Sequence, residues 1–75
     1  MAVIKTGNVV HDNALEAAES THQVSIAAAG MNQSQVKTAD ITFYRACLAS
    51  AKTNNNGGGV EQFSNALREL GTGGT

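Results

Sequence analysis

The sequence predicts an all-α fold: a single three-helix domain with a tight αα-corner between its first two helices and an extended N-terminal arm. Three observations predict it. Proline is absent, so nothing interrupts a long helix. Apolar residues recur at i, i+3 and i+4 in three separate blocks. Gly30 and Gly71 each close such a block, in the place where a helix ends in a left-handed residue.

Residues 1–12 read as the arm. Val3 and Ile4, then Val9 and Val10, are β-branched pairs around Lys5-Thr6-Gly7-Asn8. That pattern suits extended chain with a turn. A lone ribbon is marginal in water, so an ordered arm needs something to lie on.

The first helix is expected over 13–29. Asn13 is the expected N-cap, with Glu16 completing a capping box and Asp12 at the positive end of the helix dipole. Leu15, Ala18, His22 and Ile26 form one row. Ala14, Ala17, Thr21, Val24 and Ala28 form the next, giving a wide face of mostly small side chains.

The second helix is expected over 32–53. Asn32 caps it, and Met31 with Val36 has the spacing of a hydrophobic staple. Val36, Ala39, Phe43, Ala46 or Cys47, and Ser50 make one row; Ile41, Tyr44, Leu48 and Ala51 make another. Its apolar surface therefore spreads round more than half of the helix, which calls for cover on more than one side. Residues 54–59, Asn-Asn-Asn-Gly-Gly-Gly, read as a loop. The third helix is expected over 60–70, with Val60, Phe63, Leu67 and Leu70 as its stripe. The Gly-rich tail, 71–75, has no evident means of ordering itself.

Composition limits what such a domain does. Of 75 residues, 12 are Ala, and Leu, Ile, Val and Phe total only 15. Alanine favours helix yet brings little apolar area. A thin core in a short chain points to oligomerisation or docking on a larger partner for added stability. The net charge of −1 and pI near 6.0 lack the basic excess of a dedicated nucleic-acid binder. No apolar run reaches the roughly 20 residues of a spanning helix. The first residues lack the basic-then-apolar layout of a secretory signal. A lone cysteine, Cys47, fits a cytoplasmic or virion setting and forbids an internal disulfide.

Catalytic chemistry finds little support. Cys47 and His22 are a candidate thiol–imidazole pair, without a Gly-rich elbow or an orienting acid. His11 and His22 stand eleven positions apart, and the expected caps put His11 outside the helix, so no metal site is expected. Asp12, Glu16 and Glu19 are explained by the helix dipole. Gly57–Gly59 lack the Lys-Ser/Thr of a phosphate loop. No enzyme activity, cofactor or small-molecule substrate is expected.

One segment carries a resemblance. In His22–Ile41, Gly30 stands as a turn glycine and Met31 as the apolar residue after it. Val36 and Ala39 stand at buried positions of the following helix. This resembles the helix-turn-helix of phage Cro-type repressors. The resemblance implies a dimeric regulator in which Gln33, Ser34 and Gln35 read base edges and Lys37 reaches a phosphate. Ile26 departs from the pattern, since that position is usually Ala or Gly. The five cations, Lys5, Lys37, Arg45, Lys52 and Arg68, are scattered along the chain. A Gly stop followed by an Asn cap also generates this pattern in any helical corner.

The leading expectation is therefore a non-enzymatic structural or assembly protein, a homo-oligomer or a component docked on a larger assembly, for which a minor phage virion protein is a fitting setting. The expected protein contacts are Val3, Ile4, Val9 and Val10 on the arm, Ile41, Tyr44 and Leu48 on the second helix, and Phe63 and Leu67 on the third.

Overall fold

The computed structural model describes residues 8–75, and Val3 and Ile4 of the expected arm lie outside them. The described chain is all-α: α1 (Val9–Ala29), α2 (Gln33–Thr53) and α3 (Gly57–Glu69). The middle helix, α2, packs against both α1 and α3.

Helix α1 begins four residues earlier than its sequence signals suggest. Asn8, not Asn13, is the N-cap: its side-chain oxygen accepts from the His11 N–H at 3.1 Å. Val9 and Val10 are therefore helical rather than part of an extended arm. The physical reason is that β-branched residues cost only a fraction of a kcal/mol in a helix. An Asn cap is worth about 1 kcal/mol. The early start also puts His11 on the helix, fully buried, where the sequence placed it outside.

Gly30 ends α1 at φ +57, and its N–H bonds the Ile26 carbonyl. Asn32 caps α2 as expected, accepting from the Gln35 N–H at 3.1 Å. Met31 is 98% exposed, so the expected staple to Val36 does not form. The turn folds α2 back along α1. His22 meets Asp40 near the turn, His11 meets Ser50 further away, and Asn8 meets Asn54 at the far end. Pairs that recede from the turn together define an antiparallel hairpin.

The expected loop at 54–59 shrinks to its asparagines. Asn55 takes the left-handed conformation, φ +56, and Asn56 caps α3 through the Gly59 N–H. The three glycines form the first turn of α3, so that helix starts at 57 rather than 60. Three helical glycines cost about 1 kcal/mol each, and the Asn56 cap offsets part of that. At the other end, the Gly71 N–H bonds Arg68 O and the Thr72 N–H bonds Leu67 O. With Gly71 at φ +86 this is a Schellman stop. The tail is ordered after all. The Thr72 hydroxyl donates to Leu67 O, Arg45 Nε donates to Thr75 O, and Gly74 is buried beside Arg68.

The core is Leu15, Phe43, Cys47, Leu48, Ala51, Phe63 and Leu67, with Ala18, Ile41, Tyr44 and Val60 packed on it. Five of these seven are large, and each contributes about 1.5–3 kcal/mol on full burial. His22, Phe43, Tyr44 and Phe63 form a ring-to-ring chain at centroid separations of 5.0, 5.2 and 6.3 Å. It runs from α1 across α2 to α3.

Candidate functional site

The two rows on α1 have different fates. The row with Leu15 and His22 turns into the core, with Ala29 closing it near the turn. The neighbouring row stays outside: Val10, Ala14, Ala17, Thr21, Val24, Ala28 and Met31 are all exposed. Their spacing alternates four and three, the spacing of a heptad seam. Val10 and Val24 are 71% and 70% exposed.

Alongside this seam, α1 and α2 enclose an open groove of about 420 Å³. Its walls are Ala14, Ala17, Thr21 and Ser25 from α1, and Ala39, Thr42 and Ala46 from α2; Phe43 and His22 lie deeper. No Asp, Glu, Lys or Arg side chain lines it. On α2, Ala39, Thr42 and Ala46 fall at i, i+3 and i+7, on the side away from Tyr44, whose ring contacts Phe63 of α3. The groove is therefore on the side that α3 leaves uncovered. Walls of Ala, Ser and Thr leave room for a helix backbone to approach closely. Sequence reasoning found the α1 wall and placed Ala39 and Ala46 on the α2 row of Phe43, but did not single out Thr42.

The other expected contacts are distributed differently. Val9 and Val10 are exposed on the first turn of α1. Ile41 and Tyr44 are half-buried against the core. Leu48, Phe63 and Leu67 are buried within the chain itself, at 5%, 7% and 0% exposure. The second apolar face of α2, expected from the sequence to meet a partner, is the face that α3 covers.

The candidates for chemistry are held in structural roles. Cys47 is fully buried. Desolvation, with Glu19 adding to it, pushes its thiol up to about 11. A thiol so placed stays protonated and unreactive at neutral pH. The His22 Nε2 lies 2.5 Å from Asp40 Oδ1, so the imidazole ties α1 to α2 rather than facing Cys47. Burial, then the charge of Asp40, raises the Tyr44 phenol above its usual range. Among the described residues no three His, Cys, Asp or Glu side chains are grouped to hold a metal ion.

Gln33, Ser34, Gln35 and Lys37 are exposed on the first turns of α2. A helix-turn-helix crosses its two helices at about 90–120°, which frees the second helix for the major groove. Here α2 lies along α1 from the turn to its far end. No helix among the described residues is long and apolar enough to cross a membrane.

Comparison with known protein families, curated proteins and solved structures finds no match to this chain.

Proposed function

We propose that this chain is a non-enzymatic structural or assembly protein whose association surface is the groove and seam formed by α1 and α2. The observation that carries this reading is the uncharged furrow between Ala17, Thr21, Ala39, Thr42 and Ala46, flanked by exposed Val10, Val24 and Met31. Solvated helix faces normally carry charged and polar side chains, so an uncharged seam at four-three spacing suits a protein partner. A second copy of the chain supplies such a helix, which makes a homo-oligomer the simplest form of the assembly. Repetition of that contact suits a particle built from many copies, of which a phage virion is one example.

Ala17 stands in the middle of the seam and is exposed. A carboxylate there leaves the fold of one chain intact and opposes a helix packed on top. Light scattering on eluting protein is expected to show the native chain as a multimer and Ala17→Glu as a monomer with an unchanged helical spectrum. Equal masses for the two proteins would refute the reading.

The exposure of Gln33, Ser34, Gln35 and Lys37 favours a second reading, a small helix-turn-helix regulator. The antiparallel hairpin and the scattered cations weigh against it. Absence of a DNA mobility shift at low salt would dispose of it.

A further inference from the structure

We propose that His11 is a proton-operated latch: its neutral imidazole joins the three helices, and protonation releases the N-terminal cap of α3. The ring is fully buried and makes two hydrogen bonds. Nδ1 lies 2.7 Å from the Ser50 hydroxyl on α2. Nε2 lies 3.0 Å from Nδ2 of Asn56, the residue that caps α3.

The direction of each bond follows from backbone groups at the edge of the network. The Gly59 N–H is a donor, so the Asn56 atom that meets it at 3.1 Å is the amide oxygen. The amide nitrogen of Asn56 therefore points at His11 and donates to Nε2. With Nε2 accepting, the single ring proton sits on Nδ1 and is given to Ser50 Oγ. Asn8 and Asn54 are oriented in the same way. Asn8 Oδ1 accepts from the His11 N–H, and Asn54 Nδ2 donates to Ser50 O. Asn8 then donates to Asn54 Oδ1 at 3.4 Å. Only one tautomer of a neutral ring satisfies the set.

A second proton has to go on Nε2, where it faces the N–H of Asn56. Turning the Asn56 amide gives His11 an oxygen, but presents a donor to the Gly59 N–H and removes the cap. The Asn56 amide is packed against Gly59. Its nitrogen and carbon already sit where a side chain of Gly59 would begin, 2.6 and 2.9 Å from that point. The proton on His11 is therefore read out at the first turn of α3.

The pocket is formed by Asn8, His11, Asn54, Asn55 and Asn56, with no charged side chain among them. Among the described residues, the ionisable residues nearest in sequence to the contacting positions are Asp12 on α1, Lys52 on α2 and Glu61 on α3. The ring's own hydrogen bonds go to neutral groups. Loosening α3 uncovers Tyr44 and the core face of Phe63, so acidification acts on the element that closes the core.

Amide hydrogen exchange by NMR at pH 7.5 and 5.0, corrected for intrinsic rates, tests this. Gly59 and Val60 are expected to lose about tenfold or more in protection at pH 5.0, the scale of one lost buried hydrogen bond, while central α2 amides hold theirs. His11→Gln keeps one donor and one acceptor and does not titrate, so it is expected to abolish the loss. His22→Gln is expected to retain it. An equal loss in His11→Gln, or none in the native protein, overturns the proposal. Imidazole nitrogen shifts of the native protein at pH 8 give an independent check. A proton on Nδ1 is expected, and one on Nε2 overturns the latch even if His11→Gln does not fold.

Discussion

Gly59 shows how one residue is constrained by contacts far away in sequence. It is buried in the first turn of α3, and the Asn56 amide lies across the place of its missing side chain. A methyl group there displaces an amide that already holds the Gly59 N–H and the His11 ring, and it meets the Ala51 Cβ at 3.3 Å. Gly→Ala in a helix ordinarily stabilises by about 0.5–1 kcal/mol. Gly57→Ala, with open space around it, is expected to follow that rule. Gly59→Ala is expected to reverse it and destabilise by about 1–3 kcal/mol, the usual cost of overpacking. Urea denaturation of the two variants side by side checks the sign. Cys47 gives a second prediction at this scale. Its buried thiol is held near 11 from an ordinary 9.0, so the unfolded chain ionises first as pH rises. Stability is expected to fall between about pH 9 and 11, with Tyr44 adding to the fall at the alkaline end because its phenol is also raised. A Cys47→Ser variant, measured across that range, is expected to show a shallower decline.

At the scale of the element, the start of α1 separates two accounts of the same sequence. With Asn8 as cap, Asn8→Ala is expected to cost about 1 kcal/mol. Asn13→Ala, now an exposed helix-interior change, is expected to gain about 0.5 kcal/mol from propensity. Thermal melts showing the opposite order would restore the later start. The three helices were legible because their stripes are long: Leu15 to Ala29, Val36 to Ser50 and Val60 to Leu70 carry the 3.6-residue period without a break. Both early starts were not legible. Val9 and Val10 look extended, and Gly57–Gly59 look like loop, by local preference alone. Each becomes helical because an asparagine side chain caps it and because His11 bonds across three helices, and no local pattern reports contacts 39 and 45 residues apart. The tail is similar. Gly71 signalled the stop, whereas the bond from Arg45 to Thr75 depends on where α2 passes.

At the scale of the whole molecule, the same folding event that satisfies one face of α2 leaves another free. Tyr44 and Ala51 are covered by α3, with Leu48 buried in the same core, so the large side chains first expected to bind partners stabilise the chain itself. What remains outside is the small-residue wall of α1 and α2, much of which is visible in the sequence as Ala14, Ala17, Thr21, Val24 and Ala28. Its position beside Ala39, Thr42 and Ala46 required the hairpin. This furrow is proposed to bind another helix, from a second copy of the chain. Sedimentation equilibrium over a micromolar concentration series tests it most directly. The mass of the native chain is expected to rise above the monomer value with concentration, and that of Ala17→Glu to stay at the monomer value. A native chain that remains monomeric throughout the series, or an Ala17→Glu protein that associates just as well, would contradict it.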